Sequence, residues 1–231
     1  MVASSDTSLP ENTISTPQLS KQKLLRSAVI YGANASGKSN LVKALRFVQS
    51  FVSDSAERNR NSDIPVQSFR LDKANEAHPS EFEITFIHKN VRYQYGFAVD
   101  RRCVRQEWLI AYPKGLPQTW FRRTLLDEPN KFQWYYGSQL KGERKTIEAL
   151  TRPDVLFLAV ATKFNHKQLS TVHDWFDYYL RVIDMSTQSS FFERLTAKEF
   201  LSHEPVYALA KRILRRADLG ITDVVVEEKP D

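Results

Sequence analysis

Eight residues, Gly32-Ala33-Asn34-Ala35-Ser36-Gly37-Lys38-Ser39, follow the spacing G-x-x-x-x-G-K-S/T, and each fixed position has a mechanical use. Glycines at 32 and 37 let the backbone curl so that successive N–H groups point inward as an anion-binding nest. Lys38 adds a mobile positive charge for the β- and γ-phosphates of a nucleotide, and the Ser39 hydroxyl is suited to ligate Mg²⁺. A helix opening at Lys38 turns its unpaired N–H groups and positive dipole end toward the same phosphates.

Holding phosphates is not cleaving them. Hydrolysis also needs a carboxylate to fix the Mg²⁺ shell and a group to position the attacking water. Leu125-Leu126-Asp127-Glu128-Pro129 has the acids, but Arg122-Arg123-Thr124 before it argues against a buried central strand, and Pro129-Asn130 reads as a hairpin turn. Val224-Val225-Val226-Glu227-Glu228 has the apolar run with glutamate in place of aspartate, and reads as a plain strand end. Val182-Ile183-Asp184 has no second carboxylate and reads as structural. Gln67 stays open between two readings: its amide reaches Mg²⁺ or the water, or it is an ordinary polar loop residue.

The elements that must position the loop can be read from periodicity. Ala28-Val29-Ile30-Tyr31 predicts a short buried strand before it, and Leu41, Leu45, Val48 and Val52 predict a helix with one core-facing stripe after it. Residues 1–23, rich in Ser, Thr, Asn and Pro, read as an extended lead-in. From Ser80 the period becomes two, with Phe82, Ile84 and Phe86, then Val91, Tyr93, Tyr95, Phe97 and Val99. A hairpin turning at Lys89-Asn90 follows, and further strands over 104–111, 119–125 and 131–136 make an antiparallel meander. From Gly142 the pattern is largely helical, with segments at 143–150, 155–161, 169–180 and 205–217 and a last strand over 221–228. The organisation expected is a lead-in at 1–23, the loop with its strand, helix and β-subdomain at 24–141, and a helical region at 142–231.

Composition excludes several classes. The chain has 231 residues, 42% of them hydrophobic, enough for a sizeable core. No run of about 18 apolar residues suggests a membrane span, and no secretory leader is visible, so a cytoplasmic location is the default expectation. The single Cys103 rules out an internal disulfide and reads as a bystander, and five scattered histidines offer no zinc-ligand spacing. A net charge of +6 leaves nucleic acid open as a partner. The basic residues form three clusters, around Arg101, Arg102 and Arg105, at Arg122 and Arg123, and over 211–216, without interleaved aromatics.

Taken together, the segments YGANASGKSNLVKAL, PVQSFRL, SEFEITF, VRYQYGFAVD, GSQLKGE, TRPDVLFLAVA and ADLGITDVVVEE resemble the prokaryotic AAA-type ATPases with an ABC/SMC-like head, found in abortive-infection and restriction-linked phage-defence loci. The resemblance implies an α/β fold: the N-terminal lobe of a P-loop NTPase, with an antiparallel β-meander subdomain and a helical C-terminal part. It implies ATP and Mg²⁺ as ligands. Gly32, Gly37, Lys38 and Ser39 would contact phosphate and metal, Ala33, Asn34, Ala35, Ser36 and Asn40 would complete the loop, and Gln67 would be the Q-loop glutamine. In such heads a second lobe carries the signature loop, the Asp-Glu strand and a switch histidine, and two heads sandwich ATP. No such motifs are found here, nor the initial strand pair with a Phe-Arg-Ser-Phe-like motif, so the expectation is a first lobe trimmed at both ends. Hydrolysis would then need a second lobe or a homodimer, and a defence effector protein would be a partner. The alternative is a nucleotide-dependent interaction module that binds a protein or nucleic acid without hydrolysis.

Overall fold

The computed structural model describes residues 1–5, 8–19, 22–60, 62–67, 78–128, 130–183, 189–217, 220 and 222–226, with side chains at all of these except 189–195. The chain divides into two compact units, Met1–Val182 and Ile183–Asp231.

The first unit is built on an antiparallel meander of β3 (Ser80–His88), β4 (Val91–Val99), β5 (Val104–Tyr112), β6 (Gln118–Leu125) and β7 (Phe132–Tyr136), in sequential order. Alternation explains it. Phe82, Ile84 and Phe86 of β3 lie opposite Phe97, Tyr95 and Tyr93 of β4, so one face of the hairpin carries aromatic rings throughout. The turn at Lys89 and Asn90 has positive φ at both residues, 45° and 62°, the geometry that matches strand twist in a two-residue hairpin.

Helices cover that face. α1 (Lys38–Asp54) contributes Val48, Phe51 and Val52, and Phe51 stacks on Phe47 and meets Phe97 at 5.5 Å. α2 (Lys145–Leu150) is joined to β7 by the Tyr136 hydroxyl, which donates to Glu148 at 3.0 Å. α3 (Phe157–Lys163) is buried over its first five residues, and its Phe157 ring packs edge-on against Phe121. α4 (Lys167–Tyr178) buries Leu169, Val172, His173 and Phe176 and stacks Trp175 on Phe86 at 4.1 Å. Tyr178 and Tyr179, where the helix ends, are 65% and 64% exposed. Fully burying each of Phe51, Val52 or Phe176 contributes about 1.5–3 kcal/mol.

A charged group sits inside this apolar layer. Glu107 on β5 and Arg123 on β6 are register partners, both with fully buried side chains, and Arg123 Nε lies 2.9 Å from a Glu107 oxygen. The same carboxylate accepts hydrogen bonds from the Tyr95 hydroxyl at 2.9 Å and from the Phe157 and Leu158 amides at 2.8 and 3.0 Å. These amides open α3, so the anion satisfies two orphan donors and faces the positive end of the helix dipole. Arg123 also donates to the Val155 carbonyl and lies over the Phe132 and Trp134 rings. Burial pushes the Tyr95 hydroxyl well above its ordinary range and lowers the Arg123 guanidinium. The expectation that Arg122-Arg123-Thr124 argues against a buried central strand fits Arg122, which alternation sends outward, and is corrected for Arg123, which Glu107 neutralises inside.

Two further differences from the sequence reading, in the lead-in and at residues 222–226, have simple causes. The lead-in carries a 3-10 turn at Pro10–Asn12 and a small pair, β1 (Thr13–Ser15) with β2 (Lys23–Leu25), extended by a bridge from Val2 to Leu24. Its Ser, Thr and Asn side chains hold it together: Asn12 exchanges hydrogen bonds with Ser27. Cys103 lies in the β4–β5 turn, where burial first and Asp100 second push its thiol up, consistent with a bystander. In the second unit, α5 (Ser189–Ser202) and α6 (Glu204–Arg216) pack together with Phe200 against Tyr207. Residues 222–226, expected as a strand, are irregular: Val224 accepts from the Tyr207 hydroxyl, Asp223 pairs with Lys211 and Arg215, and no strand lies beside them among the described residues. No helix among the described residues is long and apolar enough to cross a membrane.

Two predictions follow from these contacts. Glu107→Gln leaves Arg123 charged and uncompensated, and should lower unfolding free energy by about 3–5 kcal/mol in urea titrations. Adding Arg123→Met should recover part of that loss, a coupling that a double-mutant cycle reads directly. The second concerns His166, which caps α4 by accepting the Leu169 amide on Nδ1 at 3.3 Å and is held below its ordinary value of 6.5 mainly by burial. Its folded pKa lies below the unfolded one, so its contribution is whole above the unfolded value and lost as pH falls through the folded pKa. His166→Asn, which caps without titrating, should flatten the fall in melting temperature below pH about 6.5.

Candidate functional site

The loop 32–39 is shaped by two left-handed residues. Ala35 has φ 63° and Gly37 has φ 91°, and an alanine at position 37 would be strained there whatever the surrounding space. Gly32 is constrained differently: a β-carbon on it would lie 2.6 Å from Ser36 Oγ. A tight turn, Ser36 N–H to the Ala33 carbonyl at 3.2 Å, lies between them. Gly37 is the N-cap of α1, and no side chain caps the helix, so its first amides face the loop with the dipole behind them.

Lys38 closes the ring. Its ammonium donates to the Gly32 and Ala33 carbonyls, each at 2.6 Å, and to Ser36 Oγ at 3.4 Å. The charge thus sits at the centre of the loop, over the backbone of Gly32 and Ala33. A phosphate oxygen entering there would replace neutral carbonyl acceptors with an anionic one, which makes a stronger bond. Ser39 and Asn40 follow on the first helical turn and are exposed, as are Asn34 and Ala35. The structure therefore brings together Gly32, Ala33, Ser36, Gly37 and Lys38.

The floor of the site differs from expectation. Residues 28–31 form no strand, and Val29, Ile30 and Tyr31 are 72%, 50% and 88% exposed. The cause is the absence of a ladder: the meander is complete in itself, and no strand lies beside 28–31 among the described residues. The expected stripe on α1 is likewise buried only toward its C-terminal end: Val48 and Val52 are inside, Leu45 is half-buried, and Leu41 is 45% exposed. The cradle thus stands at the free end of a helix anchored at its other end.

The candidate hydrolytic groups are dispersed. Gln67 is exposed beyond the buried anchors Ile64 and Val66, and no hydrogen bond joins it to Lys38 or Ser39. Asp127 and Glu128 lie in the β6–β7 turn, with Glu128 paired to Lys131 at 2.8 Å. Asp184, Glu227 and Glu228 lie outside the described residues. Among the described residues no three His, Cys, Asp or Glu side chains gather as a metal site. The sequence reading missed Glu107 as a structural acid; its in-phase position with Leu109 and Ala111 on β5 is the signal that it faces inward.

No curated protein and no solved structure matches the chain. The family model described as "AAA domain, putative AbiEii toxin, Type IV TA system" matches residues 27–204, from just before the loop into α6. That span is well over half of the 231 residues and contains both the loop and the meander. The chain belongs to this AAA-domain family.

Proposed function

We propose that this chain is the ATP-binding lobe of an ABC/SMC-like AAA-type ATPase linked to phage defence, and that hydrolysis requires a second lobe carrying the signature loop and the Asp-Glu strand. The observation that carries the reading is the cradle, with Gly37 left-handed and the Lys38 ammonium poised over the Gly32 and Ala33 carbonyls at 2.6 Å. The family description, which names an AbiEii toxin and a toxin–antitoxin system, supports the link to defence.

In this reading the loop amides from Ala33 to Ser39, with Asn40 behind them, hold the β- and γ-phosphates. Lys38 swings from its carbonyls to the phosphate oxygens and neutralises charge there. The Ser39 hydroxyl, at the first turn of α1, would hold Mg²⁺, with Gln67 as a second ligand. Mg²⁺, when bound, supplies charge neutralisation between the phosphates. Glu107 cannot serve as the missing acid, because α3, Tyr95 and Arg123 already occupy its oxygens. The exposed Val29, Ile30, Tyr31 and Leu41 around the cradle support a second lobe packing there, since contiguous exposed apolar residues mark an interaction surface.

The test is titration of a fluorescent ATP analogue with Mg²⁺ into the wild-type chain and Lys38→Ala. Loss of one hydrogen-bonding charge of this kind is worth about 1.5–3 kcal/mol, so the variant should bind at least roughly tenfold more weakly. Equal affinities would sink the cradle. Turnover by the isolated chain at a complete ATPase's rate, about 1 s⁻¹ or faster, would instead remove the need for a second lobe.

A further inference from the structure

A second charged site lies at the opposite end of α1. Four arginines that are far apart in sequence, Arg60, Arg101, Arg102 and Arg152, converge with Asp63 and Asp154 on an open cleft of about 440 Å³. α1 has 17 residues, so at a rise of about 1.5 Å per residue this cleft lies roughly 25 Å from the loop that begins the helix. It is not part of the nucleotide cradle.

The cleft is braced. The Ile64 amide donates to the Arg101 carbonyl at 2.7 Å, and the Val104 amide donates to the Pro153 carbonyl at 2.8 Å, which ties both flanking loops to the β4–β5 turn. Arg101 pairs with Asp63 at 2.8 Å, and Arg152 pairs with Asp154 at 3.0 Å while donating to the Arg58 carbonyl at 2.8 Å. These contacts use both acids of the cleft and two of its arginines. Arg60 and Arg102 remain exposed, with no acidic partner among the described residues.

Two uncommitted guanidinium forks on a fixed frame, in an open trough with no aromatic ring in its lining among the described residues, suit an extended chain of phosphates better than a base or an enclosed metabolite. The chain's net charge of +6 favours the same partner. We propose that this cleft binds the phosphodiester backbone of nucleic acid, through Arg60 and Arg102, without reading its sequence. Arg105 and Arg123, which the sequence groups with such a patch, do not take part: Arg105 is bound to Asp100 and Arg123 is buried.

The experiment measures fluorescence anisotropy of labelled duplex DNA, single-stranded DNA and RNA, each about 20 nucleotides long, against the nucleotide-free chain between about 50 and 200 mM KCl. A Lys38→Ala background keeps the result independent of the ATP reading. Arg60→Ala with Arg102→Ala should weaken binding about tenfold for every sequence tested and lower the salt slope by about 2. Arg60→Lys with Arg102→Lys should keep most of the slope, and Arg212→Ala with Arg216→Ala on α6 should leave affinity nearly unchanged. Neither arginine in the cleft pair holds the brace, so urea midpoints should match wild type. The proposal is overturned by no binding in the parent, by an unchanged slope in the alanine pair, by equal loss in the α6 pair, or by displacement of the nucleic acid by inorganic phosphate or polyglutamate at equal charge concentration.

Discussion

The carboxylate of Glu107 is the point at which sheet and helices are joined. It lies on the inner face of β5, and its contacts come from three other parts of the first unit: a hydrogen bond from Tyr95 on β4, an ion pair with Arg123 on β6, and hydrogen bonds from the two opening amides of α3. An acid in such a place is expensive to bury, and only the number and direction of its donors offset that cost. The consequence is positional. A hydrophobic side chain could fill the volume, but it would not fix the angle at which α3 leaves the sheet, and α4 and the C-terminal half of α1 pack on what α3 sets. Ser55 lies just beyond α1, and its Oγ accepts the Leu156 amide at 3.2 Å and so ties the helix end to the same junction.

This junction gives α1 an asymmetric life. Toward its C-terminal end it is held by Phe51 and Val52 in the aromatic layer, by Ser53 bonded to Asp177, and by the Val52 carbonyl facing His173 at 3.0 Å. Toward its N-terminal end, Leu41 and the residues before Gly37 face water. Sites that must admit a charged ligand are drawn from less constrained regions, while the scaffold that aims them is drawn from the most constrained. The cradle follows that division at the open end, whereas the arginine cleft lies at the anchored end, where loops are braced by backbone bonds.

Much of this was legible in the residues. The alternation of Phe82, Ile84 and Phe86 against Tyr93, Tyr95 and Phe97 sets the hairpin and its buried face, and Lys89-Asn90 sets the turn. Gly32 and Gly37 proved to be where the loop demands a missing β-carbon or a left-handed backbone. What periodicity could not supply was company. Val29-Ile30-Tyr31 has the composition of a buried strand, but a strand needs a ladder partner, and composition does not say whether one is present. Arg123 looks unfit for an interior until Glu107 is seen across the ladder, a pairing set by register between β5 and β6 rather than by either segment. The cleft is the same lesson in another form, because Arg60, Arg102 and Arg152 belong to three loops with no common motif.

The hold of Lys38 on its own loop has a thermodynamic side. With two carbonyls at 2.6 Å the ammonium is already solvated by protein, so an incoming anion competes with bonds in place rather than with loosely held water. A single negative charge gains little by that exchange. A chain of phosphates gains at each amide of the nest as well as at the lysine, and its advantage grows with charge number. In the proposed reading, the carbonyl bonds of Lys38 therefore set a threshold on ligand valence that favours a polyphosphate over a monoanion.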